Sequence, residues 1–401
     1  MWNRLWRDNM DFDFSWLLLG LPIAFVLGWL ASRFDLRQLK LENRQAPKAY
    51  FRGLNFLLNE QQDQAIDAFI EAVQNDPDTQ ELHFALGNLF RRRGEYQRAV
   101  RVHEHLLGRG DLSRADRDRA QHALAQDFLR AGLLDRAEAA LQKLEGTRYE
   151  NEARLSLLAI YERSREWTQA AEVAQKLDDS DQASYSTRRA HHLCEQASEQ
   201  TTAGNLAAAT QLLRQATALA PQAPRPAIDT ANLQLRNGES AAAFETLMAL
   251  SETAPLALPL FAVSLQQAAI GSQRAGEALA LLQRRYAASP SIDVLEAVIS
   301  LGGTPILPDD LTFAEAPTPR DGYIAHLSHQ PSLVAASRWL AGETLTHEQF
   351  HPQVQRALDQ ATRPLMRYRC AACGFEAHQY FWHCPGCQAW DSYPPRRVEE
   401  L

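Results

Sequence analysis

The chain has 401 residues, 45% of them hydrophobic and 22% charged, with a net charge of −8. That length suits about two or three domains, and the apolar share can bury a core, which excludes a disordered or collagen-like polymer. The acidic balance excludes a chain-wide grip on nucleic acid. Four of the five cysteines fall in the last 32 residues, which argues against a secreted disulfide frame and for a metal site in a reducing compartment.

After an N-terminal flank at 1–13, residues Phe14 to Ser32 form a run of 19 without a charge. As a helix this run spans about 28 Å, close to the hydrocarbon thickness of a bilayer. Trp16 and Trp29 stand near its ends, where indole rings favour the membrane–water interface, and Pro22 is tolerated in such a helix. Arg4 and Arg7 precede it, whereas Arg33, Arg37, Lys40, Arg44 and Lys48 follow it. That bias predicts a single-pass anchor with the bulk of the chain on the cytoplasmic side. A cleaved signal peptide is the rival, but Asp8, Asp11 and Asp13 do not suit one. Residues 33–45 read as a juxtamembrane linker.

Residues 46–290 repeat with a period near 34, the spacing of tetratricopeptide (TPR) helix–turn–helix units. Gly53 and Gly87 are 34 apart, as are Ala65 and Ala99; Ala137, Ala170, Ala209, Ala243 and Ala278 continue the small-residue series. Small residues let paired helices approach, larger apolar ones such as Phe56, Phe69 and Phe90 fill the gap, and Pro77, Pro221, Pro255 and Pro290 close units. The expected fold is therefore all-α, a TPR solenoid behind an N-terminal transmembrane helix. Its first-helix face predicts a partner-binding groove carrying Asn88, Arg91, Arg92, Gln126, Arg130 and Arg163, suited to an acidic segment; a set of solvated arginines is the equal alternative. From 291 to 362 prolines and Gly302-Gly303 break the pattern into degenerate helical repeats or linker, with a short helix expected from Ser332 to Leu340.

The tail, 363–401, holds Cys370-Ala371-Ala372-Cys373 and Cys384-Pro385-Gly386-Cys387. Each pair can aim two thiolates at one point, and two pairs supply a tetrahedral site for one iron or zinc ion. Gly374 and Gly386 are expected to give the turns their backbone freedom. Four thiolates leave no position for a catalytic water, so the ion is not hydrolytic. Around it lie Tyr368, Phe375, Tyr380, Phe381, Trp382, Trp390 and Tyr393, with an excess of arginine that includes Arg396 and Arg397.

His347-Glu348-Gln349-Phe350-His351 matches a metalloprotease pattern, but Pro352 follows directly and disfavours one helical face for both histidines. His103, His105, His191 and His192 read as surface or packing residues, and Cys194 as a buried helix residue. No nucleophile elbow or phosphate loop is present, and the chain is expected not to be an enzyme, with no catalytic residues.

Anchor, repeats and knuckle pair together resemble the lipopolysaccharide assembly protein B family of Gram-negative bacteria. The stretches that carry the likeness are Gly53-Leu54-Asn55-Phe56-Leu57-Leu58, Gly87-Asn88-Leu89-Phe90-Arg91, Ala131-Gly132-Leu133, Tyr368-Arg369-Cys370, Cys373-Gly374-Phe375 and Trp382-His383-Cys384-Pro385. The likeness is strong in repeats one to three and the tail and weak from 220 to 362. It implies a rubredoxin-like metal-binding domain ligated by Cys370, Cys373, Cys384 and Cys387. It further implies an inner-membrane regulatory adaptor of lipopolysaccharide level that promotes degradation of the lipid A deacetylase LpxC by the membrane protease FtsH. Other lipopolysaccharide-pathway membrane proteins are implied partners, a nucleic-acid partner is not expected, and homo-oligomerisation stays open. The alternative is a membrane-tethered TPR protein whose four-cysteine ribbon binds nucleic acid or transfers electrons.

Overall fold

The computed structural model describes residues 22–29, 48–49, 51–75, 79–180, 184–304, 318–343 and 349–401. Of the expected membrane segment only 22–29 are among these, and they are helical and exposed. The rest of that segment, Pro77, His347 and Glu348 lie outside the described residues. Among the described residues no single helix is long and apolar enough to cross a membrane.

The chain divides into two compact units, Met1–Ala153 and Arg154–Leu401. In the first, helix α1 (51–58) is followed by α2 (Gln62–Asn75), α3 (Gln80–Arg93), α4 (Tyr96–Gly108), α5 (Arg114–Ala131) and α6 (Leu134–Gln142). Helix α7 (Glu150–Ser164) begins at the boundary. The second unit continues with α8 (Trp167–Ser180), α9 (Ser186–Thr202), α10 (Leu206–Leu219), α11 (Pro224–Arg236), α12 (Ser240–Thr253), α13 (Leu258–Gly271), α14 (Ala275–Ala288) and α15 (Ile292–Ser300). Three shorter helices, α16 (Pro319–His329), α17 (Leu333–Ala341) and α18 (His351–Thr362), precede a two-stranded antiparallel ribbon, β1 (Tyr368–Arg369) and β2 (Glu376–Ala377).

The repeat is visible as packing. Ala65, Ala99, Ala137, Ala170, Ala209, Ala243 and Ala278 all lie on even-numbered helices, and all are fully buried. At that position any larger side chain would hold the helix pair apart. In the first unit a Cβ on Gly53 would meet the Phe69 ring at 3.0 Å, and one on Gly87 would meet His103 Nε2 at 2.5 Å. The helix pairs therefore touch backbone to side chain, as the 34-residue spacing predicts.

One turn recurs after the odd-numbered helices. At Glu60, Gly94, Gly132, Arg165, Gly204, Gly238, Gln273 and Gly302 the backbone is left-handed. Each of these amides bonds a carbonyl three residues back, and the next amide bonds one five residues back. This pattern satisfies carbonyls that a helix end leaves orphaned. Gly302 closes α15 in the same way, so the repeat geometry runs past residue 290. Beyond it, Thr318 and Asp321 form a capping box on α16, and Ser332 caps α17 through the Ala335 amide.

Within the second unit the core is continuous from Ile228 and Phe244 through Phe261 and Leu265 to Tyr286, Leu295 and Val334. Leu365, Met366 and Trp382 of the tail pack onto it. The ribbon has a small core of its own, Tyr368, Cys370, Cys384 and Tyr393, against which Leu260 of α13 also packs.

Candidate metal centre and its seat on the repeats

The two Cys-x-x-Cys turns are near copies of each other. Cys370 N–H donates to Phe375 O and Gly374 N–H to Cys370 O; Cys384 N–H donates to Ala389 O and Gln388 N–H to Cys384 O. The left-handed residue is therefore the one after the second cysteine of each pair, Gly374 at φ 78° and Gln388 at φ 61°. Gly374 behaves as expected from the sequence. Gly386 does not: it is not left-handed, and it lies beside the Phe375 side chain.

These turns bring Cys370, Cys373, Cys384 and Cys387 together, with all four Sγ atoms within 4.8 Å of one another. Cys370–Cys387 and Cys373–Cys384 are each 3.8 Å apart. A tetrahedron with metal–sulfur bonds of about 2.3 Å has edges of about 3.8 Å, so the donor set fits a four-coordinate ion. Its electrostatics point the same way. Burial pushes the Cys370 thiol up, but Ser392 and the amides of Cys373 and Ala372 outweigh this and hold it at about 6. Burial opposes Cys384 likewise and is outweighed by the Cys387 and Gly386 amides, so its thiol is lowered. For Cys373 the Phe375 amide favours the thiolate, yet burial and the neighbouring cysteines push it up to about 12. Four thiolates at this spacing thus need a cation between them. Cys370 and Cys384 are buried; Cys373 and Cys387 face solvent.

The centre is seated on α7–α9 and α11 by Glu162, Arg188, Arg225 and two histidines, His191 and His192, which are expected from the sequence at the surface or in packing. Glu162, on α7 and 4% exposed, accepts both arms of the Arg188 guanidinium at 2.6 Å, His192 Nε2 at 2.7 Å and Trp390 Nε1 at 3.1 Å. Burial pushes the Glu162 carboxyl up, but Arg188 and His192 outweigh it and hold it at about 2. Burial also lowers His192, against the pull of Glu162. Trp390 stacks between His191 (4.8 Å) and His383 (4.4 Å), and His191 Nε2 donates to Asp391 at 2.9 Å. Arg225, itself paired with Glu195 and Asp229, lies over the Trp382 ring at 5.9 Å. Cys194 is buried, as expected, and its thiol is pushed far up by desolvation.

A second attachment comes from the C-terminal residues. Arg397 forms a bidentate pair with Asp293 at 2.8–2.9 Å and donates to Met366 O. Glu399 accepts from Ser332 Oγ and the Leu333 and Val334 amides, capping α17, and Glu400 accepts from the Ile292 amide at the start of α15. Arg396 donates to Ser289, and Arg369 pairs with Glu376. The basic excess of the tail is thus largely consumed inside the molecule.

The expected groove residues part company. In the first unit Arg91 spans Asn88 Oδ1, Ala123 O and the fully buried Asp127, whose other oxygen meets His103. Arg91 is an internal ion-pair residue, as Asn88 is its acceptor, because burying Asp127 without a cation would be costly. Gln126 is half-buried beside His122, while Arg92 and Arg130 are exposed. Arg163, exposed, belongs to the second unit and lines a cleft beside the ribbon. His351 opens α18, with Nε2 donating to Leu340 O, so the described half of the His-Glu-x-x-His stretch serves a helix start.

Residues 368–394 match the family model of a rubredoxin metal-binding domain, and residues 52–110 and 122–185 match the tetratricopeptide repeat model. Lipopolysaccharide assembly protein B of Escherichia coli (strain K12) is 31% identical over 389 residues, covering 95% of this chain and 98% of its own length. The Haemophilus influenzae protein of the same name is 28% identical over 413 residues, covering 96% and 98%. A tetratricopeptide repeat protein from Parabacteroides merdae aligns with a TM-score of 0.33 and 15% identity, over 64% of this chain and 99% of its own.

Proposed function

The chain belongs to the lipopolysaccharide assembly protein B family, and from that premise we propose that it is an inner-membrane regulatory adaptor with a role in lipopolysaccharide assembly. Likeness over 95% of its length, repeats and ribbon together, is the observation that carries this reading. In it the chain acts by holding partners and not by a reaction of its own. The anchor at 14–32 keeps the repeats on the cytoplasmic face of the inner membrane, which raises their effective concentration near membrane partners. Those partners are the lipid A deacetylase LpxC and the protease FtsH, with the adaptor promoting degradation of the first by the second, and other lipopolysaccharide enzymes gathered nearby.

The ion, zinc or iron, is structural in this reading. It closes the two knuckles, and Trp390, Asp391 and Arg397 then hold the ribbon on the repeats. The test is the half-life of LpxC after depletion of this protein, complemented by the intact chain, an anchor-deleted chain and Cys370→Ser. A half-life that lengthens on depletion and is restored only by the intact chain supports the adaptor. An unchanged half-life refutes it.

A further inference from the structure

Between the turn that joins α7 to α8 and the metal-bearing ribbon lies a cleft of about 400 Å³. One side carries Arg163, Arg165 and Trp167; the other carries Phe381, Trp382 and His383. The carboxylates in its wall are already engaged, Glu162 by Arg188, His192 and Trp390, and Glu195 by Arg225. Arg163 and Arg165 are exposed, and neither has a carboxylate partner among the described residues. An aromatic-walled cleft with two uncommitted guanidinium groups at its mouth matches an anionic ligand that also carries an apolar group.

A second observation bears on Arg165. It occupies the recurrent left-handed position, at φ 61°, where glycine stands at five of the eight turns and Glu60 and Gln273 at the other two. A side chain with a Cβ is disfavoured in that conformation, so glycine is favoured there though not required. An arginine held in a strained turn at the edge of a cleft points to a use for its side chain.

We propose that this cleft is a docking pocket for an acidic peptide segment, with one aromatic or leucine side chain lying against Phe381 and Trp382 and flanking carboxylates meeting Arg163 and Arg165. The inference rests on the adaptor reading for its ligand class, a protein segment. Because the pocket is built half from repeat and half from ribbon, it exists only while the ribbon is folded and seated.

The test uses the purified full-length chain and a fluorescein-labelled pool of heptapeptides with phenylalanine at the centre and aspartate or glutamate on both sides. A matched pool carries lysine at the flanks. Binding of the acidic pool alone, weakened about tenfold or more by Arg163→Ala or by Arg165→Gly, is the expected result; tenfold is the effect of losing one such charge-assisted contact. Arg165→Gly is expected at the same time to raise the melting temperature by about 2 °C, since it relieves the turn. Gln273→Gly, at the equivalent turn after α13, is expected to raise it without altering binding. Absence of binding, equal binding of both pools, or full affinity in Arg165→Gly would overturn the proposal. So would displacement of the acidic pool by millimolar inorganic phosphate, or binding to phosphatidylglycerol vesicles in its place, which would make the cleft an anion or lipid site. The titration reads the cleft alone and the LpxC half-life reads the adaptor role, so either can fail without the other.

Discussion

Gly87 and Glu162 illustrate how much rests on single residues. A methyl group on Gly87 would lie 2.5 Å from the ring of His103, which is fully buried and held by Asp127. Gly87→Ala should therefore cost about 2 kcal/mol or more in an equilibrium denaturant melt, as overpacking does in a closed core. Glu162→Gln keeps the volume but removes the charge that Arg188 and His192 share. It should cost about 3 kcal/mol at pH 7, the scale for breaking a buried pair. The pH dependence has a definite sign. Glu162 is held at about 2 against an ordinary 4.5, so its stabilisation is complete above pH 4.5 and is lost as pH falls toward 2. His192 is lowered from 6.5, so the neutral ring also favours the fold above pH 6.5 and opposes it on acidification. Facing them are Arg188, His191, Asp391 and Trp390. In melts from pH 8 downward both proteins should weaken below pH 6.5, and the gap between wild type and Glu162→Gln should close between pH 4.5 and 2. A gap that does not change between pH 4.5 and 2 would refute the assignment. Such residues were only partly legible in advance. The cysteine spacing announces its own geometry, because both partners of each knuckle are local. Nothing local tells His191-His192 that Trp390 and Asp391 will arrive from about 200 positions away, and a separation of 36 positions from Asp127 hides why Arg91 is not free.

Helices and turns were legible where packing repeats at a fixed interval. The alanine series from Ala65 to Ala278 is readable because each member faces the same constraint, a close helix partner. The left-handed turn is equally periodic, yet Glu60, Arg165 and Gln273 disguise it, and the shift from Gly386 to Gln388 in the second knuckle has the same cause: glycine is preferred at such positions, not required. The repeat turn ends at Gly302, and α15, α16 and α17 are fixed at their N-termini by caps. Two of those caps are supplied by the last three residues of the chain. Glu399 satisfies amides of α17 and Glu400 one of α15, each placing negative charge at a helix N-terminus. Removing residues 399–401 should cost about 1 kcal/mol at each end. Hydrogen exchange at Ile292, Leu333 and Val334 should then accelerate about fivefold, with the amides of α9 and α10 unchanged as internal reference. Unchanged exchange at all three would show the caps to be redundant.

Across the second unit, the ribbon and the repeats depend on each other unequally. The ribbon has two strands of two residues and a four-residue core, too little apolar burial to fold alone. Its folding energy must come from the ion, on the order of 10–16 kcal/mol for a thiolate site of this kind. Helices α11–α15 have a continuous core, and α9–α11 a second one, and neither needs it. What they lose with the ribbon is narrower: the indole on Glu162, the Asp391 and Arg397 pairs, and the two C-terminal caps. Metal removal should therefore be selective. With chelator, or in Cys370→Ser, the far-UV helical signal should persist while trypsin gains access to Arg369 and Arg397, which the metal-loaded chain holds in the β1–β2 ladder and against Asp293. The remaining helices should melt lower by several degrees, because Asp293 and Glu162 are left buried without all their partners. The acidic peptide pool should no longer bind, since half of its pocket is gone. Retained trypsin resistance after metal removal would mean that the repeats alone hold the ribbon in place. A helical melt unmoved by chelation would mean that the ribbon is merely carried, and that contacts such as His191–Asp391 and Arg397–Asp293 add nothing to the stability of the repeats.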